Sequence, residues 1–254
     1  MIADLMPDFS DPAVLTILVA AMIGGAVRGF AGFGAAMIFM PVASIVIDPK
    51  IAAAAFLVMD DVLTMPMALR AARICDWRTV LPAFVGALLT VPLGALMLAN
   101  ADQLTMRWGI SILVLALLGL LISGWRYKGA PTLPVSLGVG ATSGFLSGVS
   151  QVAGPPVVAF WMSGPQPAII IRANLIVYFA LASFGALAAY WWNGLFTLDV
   201  AKTLVIIMPV NALALYCGSH FFSRSSERLF RLVAYGMVAI AAIGSLPVLD
   251  GVLR

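Results

Sequence analysis

Apolar residues run through this chain in long stretches separated by short polar or charged ones. The stretches cover residues 13–47, 51–69, 79–99, 107–124, 132–163, 168–191, 199–219 and 229–249. A helix rises about 1.5 Å per residue, so about 20 residues cross a hydrocarbon core. Six of the eight stretches have that length, and each predicts one crossing helix. The first and fifth are too long for a single crossing. As one helix, 13–47 would measure roughly 50 Å. Both are interrupted, the first by Arg28-Gly-Phe-Ala-Gly-Phe-Gly34 and the fifth by Gly148-Val-Ser-Gln-Val-Ala-Gly-Pro-Pro156. Glycine favours non-helical backbone, and proline removes a donor and obstructs the preceding turn. Each long stretch is therefore expected to form two short half-helices joined by irregular chain.

The charged residues between the stretches set an orientation. Arg70, Arg73 and Arg78 fall in one connection, Arg126 and Lys128 in another, and Arg224, Arg228 and Arg231 in a third. Basic connections face the cytoplasm. Counting crossings from these three places 100–106 and 192–198 outside and 164–167 inside. The fifth stretch then begins and ends inside, so it must enter and return. The first, flanked by an acidic N-terminus and by Lys50 beside Asp48, enters and returns from the opposite face. With Asp4, Asp8 and Asp11 and no Lys or Arg before the first stretch, no secretory leader is expected.

The halves also match each other. Gly25 and Gly29 align with Gly144 and Gly148, Asp48-Pro49 with Gln166-Pro167, Gly94 with Gly218, and Arg107 with Arg231. The expected fold is an all-α polytopic membrane protein built from two repeats, 1–128 and 129–254. Each repeat is a broken-helix hairpin followed by three transmembrane helices. Three crossings are odd, so the second copy is inverted. Broken helices in inverted repeats are a transporter plan with the solute near the midplane. Eight simple spans are the alternative.

Composition narrows the classes further. Apolar residues make up 63% of the 254 and charged residues 10%, too few charges to cover a water-soluble globule. A soluble enzyme, a nucleic-acid binder and a disordered chain are excluded. Cys75 and Cys217 are far apart, and His220 is the only histidine, so no metal or other cofactor is expected. Neither HExxH nor GxSxG occurs, which argues against an intramembrane enzyme.

The candidate chemistry gathers at the interruptions. Irregular backbone at membrane depth is tolerated only where protein buries it or a cavity adjoins it. Free N–H groups and half-helix N-termini there favour an anion. The substrate-binding candidates are Arg28, Gly29, Gly32 and Gly34 from the first break, Ser147, Ser150, Gln151 and Gly154 from the second, and Arg172 and Asn174 just beyond it. Arg28 offers planar forked donors suited to an oxyanion, or else pairs with Asp60 or Asp61. Arg172 binds substrate or snorkels to the interface. Gly140, Gly144 and Gly148 are expected to serve helix packing. Asp60 and Asp61, midway along the second stretch, are candidates for proton coupling or static counter-ions. Trp191 and Trp192 fit an interfacial belt, and His220 a helix end.

The run Gly-Ala-Val-Arg28-Gly-Phe-Ala-Gly-Phe-Gly34 through Met-Pro41, with Gly144-Phe-Leu-Ser-Gly-Val-Ser-Gln-Val-Ala-Gly-Pro-Pro156, resembles the paired signatures of the TauE/SafE sulfite exporter family. Many members carry three consecutive glycines in each repeat, where this chain has Gly-Phe-Gly-Ala-Ala and Val-Ala-Gly-Pro-Pro. The resemblance implies a multi-pass transporter of the bacterial inner membrane that exports a small sulfur oxyanion, sulfite first, by alternating access. Transport of another organosulfur anion such as sulfoacetate, or a passive anion channel, stays open. The partners implied are the small anion and membrane lipid, with a homodimer left open.

Overall fold

The computed structural model describes residues 11–125, 127, 129, 131–162, 166–221 and 227–249. The acidic residues Asp4 and Asp8 and the basic residues Arg126, Lys128 and Arg224 of the topology argument lie outside them. Among the described residues all regular structure is helical: α1 (Pro12–Ala31), α2 (Ala35–Val46), α3 (Pro49–Ala71), α4 (Trp77–Asn100), α5 (Gln103–Ile122), α6 (Leu133–Ser150), α7 (Gly154–Trp161), α8 (Ala168–Trp192), α9 (Leu198–Phe221), α10 (Glu227–Gly244) and a terminal 3-10 turn, Pro247–Leu249. Polar residues in the connections start several of them. The Asp11 carboxylate accepts from the Ala13 N–H at 2.8 Å, with Pro12 in the first turn. Asp48 accepts from Lys50 N–H at 2.8 Å. Asp102 accepts from Thr105 N–H at 2.9 Å, and hydrogen bonds from Thr105 hold its carboxyl below the ordinary carboxylate range.

Among the described residues six helices, α1, α3, α4, α5, α8 and α9, are long and apolar enough to cross a membrane; the crossing expected at 229–249 is not among them, the apolar part of α10 there being only Tyr235–Gly244. Both long stretches break as expected, at 32–34 and at 151–153. Their arms are unequal, however. In the first stretch, the break falls after a 20-residue helix and before one of 12 residues, so α1 alone has crossing length. In the second, an 18-residue arm precedes one of only eight.

The chain forms two compact units: residues 1–59, 101–118 and 196–254 in one, and 60–100 and 119–195 in the other. Each draws on both expected repeats. The reason is that each broken stretch packs on a helix from the other half of the chain: α1 on α9 in the first unit, α6 on α4 in the second. Both pairings are glycine-lined crossings. A Cβ on Gly29 would run into the Leu215 carbonyl and the Ser219 N–H, and one on Gly218 into Ala26. In the second unit, a Cβ on Gly148 would strike the Val91 carbonyl and the Ala95 N–H, and one on Gly94 would strike Phe145. Gly29 and Gly148, and likewise Gly218 and Gly94, are the positions that the alignment of the halves equates. Hydrogen bonds cross both seams, from Asn211 Nδ2 to Ala21 O at 2.9 Å and from Thr90 Oγ1 to Ala141 O at 2.6 Å. As expected, Gly140, Gly144 and Gly148 are packing residues, set on Ala83, Ala87 and Val91.

The register gives direction within each unit. Contacts advance together along α1 and α9, and along α4 and α6, so each pair is parallel. Tyr178 donates to Gly140 O and Tyr190 to Gly148 O, so α8 also runs parallel to α6. Between them α7 returns. Ala153, before α7, accepts from Ser143 Oγ at 2.6 Å, and Ala159, near its end, accepts from Tyr127 N–H, ahead of α6. The stretch 132–163 therefore doubles back instead of passing on. In the first unit Ala35 lies against Gly24, two turns back along α1, where a Cβ would be 3.1 Å from the Ala35 carbonyl.

Gly29→Ala and Gly148→Ala should each destabilise the protein by about 1–3 kcal/mol through overpacking against backbone. Gly138→Ala, where a Cβ meets nothing within 4 Å, should be neutral. Thermal unfolding in detergent measures the contrast, and equal tolerance at all three positions would refute the close crossings.

Candidate functional site

In the first unit the break is built by two left-handed glycines. Gly32, at φ 78°, ends α1 and returns its N–H to Arg28 O at 2.8 Å. Gly34, at φ 95°, starts α2, and its carbonyl accepts from Met37 N–H at 3.1 Å. Side chains rarely adopt either conformation, which is why glycine stands at both. Arg28 lies in the last turn of α1, one turn before the break. It is half-buried, and its Nη1 donates to Gly32 O at 3.4 Å. The guanidinium thus lies over the carbonyl end of α1, where a cation is favoured. Beyond it the first turn of α2 turns its N–H groups toward the break, at the buried residues Ala35 and Ala36. Gly29, expected to face a ligand, is instead part of the crossing with α9.

In the second unit the break is held by side chains. Gln151 takes the position that Gly32 holds in the first repeat, with φ 60°, the sole positive φ on a non-glycine among the described residues. Such a conformation costs roughly 1–2 kcal/mol without compensation. Here the compensation is visible. Gln151 N–H donates to Ser147 O at 2.9 Å, and its Nε2 donates to Ser147 O and to Tyr190 Oη, both at 3.0 Å. Tyr190 Oη in turn donates to Gly148 O at 2.9 Å. Ser150 Oγ bonds back to Leu146 O at 3.1 Å. Ser147 is buried beside these groups. The N-terminus of α7 is poor in donors. Gly154 supplies an N–H, but Pro155 and Pro156, which follow, supply none. The two breaks are therefore unequal in chemistry: the first carries a cation and the N–H groups that open α2, the second mostly satisfied carbonyls.

Arg172 is half-buried in the second turn of α8. Asn174 is fully buried and joins a polar cluster at the start of that helix. Its Oδ1 accepts from Asp76 N–H at 2.7 Å, and its Nδ2 donates to Gln166 Oε1 at 3.3 Å. Gln166 Nε2 donates to Asp76 Oδ2 at 2.9 Å, and Trp161 Nε1 to Thr79 Oγ1 at 3.1 Å. The cluster ties the α3–α4 connection to the chain between α7 and α8. Asp76 was not singled out in the sequence, and Gln166 only as a repeat marker. Tyr190 was not singled out either, since its partners Gly148 and Gln151 lie some forty residues back along the chain. Arg107 served above only as a repeat marker. It is a buried cation in α5, one turn before Ser111, whose hydroxyl meets that of Ser245 at 2.8 Å.

Asp60 and Asp61 lie half-buried in mid-α3, in the second unit, while Arg28 belongs to the first. Trp191 and Trp192 are 77% and 89% exposed at the end of α8, as an interfacial belt requires. His220 stacks on Tyr216 in the last turn of α9. Among the described residues no three His, Cys, Asp or Glu side chains are grouped to hold a metal.

Residues 17–245 match the family described as sulfite exporter TauE/SafE. The chain belongs to the TauE/SafE family. It is 31% identical over 183 residues to a probable sulfite/organosulfonate exporter TauE of Cupriavidus necator, covering 69% of this chain and 70% of that protein. No solved structure matches the chain. The family is one of membrane transporters and not of enzymes, which agrees with the crossing-length helices described above.

Asn174→Leu should cost about 1–3 kcal/mol by stranding Asp76 N–H and the Gln166 amide. Asn174→Asp, which keeps the acceptor toward Asp76 N–H, should recover part of that loss. Unfolding midpoints of the two variants in detergent give the comparison.

Proposed function

We propose that this multi-pass protein of the bacterial inner membrane is a secondary transporter that exports a small sulfur oxyanion, sulfite first, by alternating access. The reading is carried by Arg28, a guanidinium held against the carbonyl end of a broken apolar helix, in a chain of the TauE/SafE family. Its forked donors suit an oxyanion, and a charge at membrane depth is costly unless it is used. The N–H groups at the start of α2, Ala35 and Ala36, supplement it. Ser147 and the Gly154 N–H are the second break's contribution, with Arg172 near its exit. The likeness to a probable sulfite/organosulfonate exporter of Cupriavidus necator favours organosulfonates as a second substrate class.

In this reading the two hairpins are inverted copies. The positive-inside rule puts the α3–α4 connection in the cytoplasm, so α4, α6 and α8 start there. The acidic start of the chain puts the beginning of α1 outside, and α9 runs parallel to it. The twice-used glycine crossing supports a repeat, and the charge pattern supports its inversion. The Asp60 and Asp61 carboxylates then provide a proton site in mid-helix. A homodimer remains part of the proposal to be tested by sizing the purified protein.

Proteoliposomes loaded with sulfite should release it when the wild-type chain is present. Arg28→Ala should lower kcat/KM by at least tenfold, while Arg28→Lys, which keeps charge and loses the fork, should fall between. Unchanged flux in Arg28→Ala would remove Arg28 from the site. A separate measurement addresses coupling. Flux through the wild type should depend on an imposed pH gradient, and Asp60→Asn or Asp61→Asn should abolish that dependence. A gradient-independent flux unaffected by either change would favour a passive channel.

A further inference from the structure

The end of α6 poses an electrostatic problem for any anion at the second break. A helix C-terminus carries negative partial charge on its last carbonyls, and low dielectric sharpens the repulsion. In the first repeat the problem is met by Arg28, which covers Gly32 O. The matching position in the second repeat is Ser147, too short and uncharged for that task. The carbonyls there are covered instead by Gln151 Nε2, on Ser147 O, and by Tyr190 Oη, on Gly148 O, and the two donors are themselves joined at 3.0 Å. Gln151 also stands in a left-handed conformation that glycine fills in the first repeat. A side chain kept at a position that favours glycine has work to do there. Both carbonyls belong to buried residues, Gly148 packed against α4, where water screens little.

We propose that Gln151 and Tyr190 are positioning residues that mask the carbonyl end of α6 from the transported anion, and thereby set how well the site accepts a doubly charged oxyanion. The inference rests on the anion-exporter reading and changes the role of Gln151 from ligand to cap. Its amide is already engaged twice by the protein, and its contribution reaches the anion through the carbonyls it covers. Uncovering those carbonyls penalises a dianion about twice as much in free energy as a monoanion, because the repulsion scales with the charge of the solute. Loss of a purely structural bond would weaken both anions by the same factor.

The test compares sulfite at alkaline pH, where it is a dianion, with methanesulfonate, a monoanion. The full-length chain is reconstituted in vesicles, and apparent KM and kcat are measured for the wild type, Tyr190→Phe, Gln151→Asn and Gln151→Glu. Asparagine tolerates the left-handed conformation but is too short to bridge. Tyr190→Phe should raise KM for sulfite roughly tenfold and for methanesulfonate roughly threefold, with kcat little changed. Gln151→Asn should behave alike, and Gln151→Glu, nearly isosteric but an acceptor, should show the widest gap between the anions. Equal factors for the two anions, or a lowered unfolding temperature with no change in KM, would overturn the masking role. Wild-type vesicles that move neither anion would overturn the exporter reading alone, since the ratio is also read from thermal stabilisation of the detergent-solubilised protein by the same two anions. Failure of either anion to stabilise the wild type would overturn the masking role as well.

Discussion

Backbone that leaves a helix inside hydrocarbon must find hydrogen bonds within the protein, because lipid offers none. Both interruptions of this chain obey that constraint, and much of the surrounding structure follows from it. At the first, two glycines turn the chain so tightly that Gly32 N–H returns to α1 and Gly34 O receives Met37 N–H. At the second, an ordinary residue takes the left-handed position. Its own amide, the Tyr190 hydroxyl and Ser143 Oγ on Ala153 O supply what glycine geometry does not.

Those donors reach their carbonyls only because the helices approach closely. Along α4 and α6, and again along α1 and α9, glycine and alanine bring backbone onto backbone. Between apolar helices in lipid, such packing and the hydrogen bonds it permits replace the hydrophobic drive of water-soluble cores. The parallel register of α4, α6 and α8 leaves α7 as a short return, and Trp161, Thr79, Asp76, Gln166 and Asn174 secure the base of that return. A hairpin fastened at tip and base is a fixed frame for the groups it carries.

The chemistry of the two tips divides accordingly. The Arg28 tip combines a cation with helix N–H donors, the combination that stabilises an oxyanion. The Gln151 tip, with Pro155 and Pro156 removing donors from α7, covers carbonyls more than it offers N–H groups.

Much was legible in the linear pattern. The all-helical class, five of the six crossing-length runs, the two breaks and the packing role of Gly140, Gly144 and Gly148 follow from periodicity, length and the conformational rules of glycine and proline. These are local properties and need no knowledge of neighbours. Gly29 read as a ligand-facing glycine and proved to be a packing one, since its partner, Leu215, lies far along the chain. Asn174 and Gln151 carry amides that could serve a ligand or a carbonyl, and residue type alone does not say which. Only the tertiary arrangement, by bringing Asp76 to Asn174 and Tyr190 to Gln151, decided that both amides are engaged by the protein itself. A hydrogen bond between residues remote in sequence depends on where the helices come to lie, and that is a property of the packed whole.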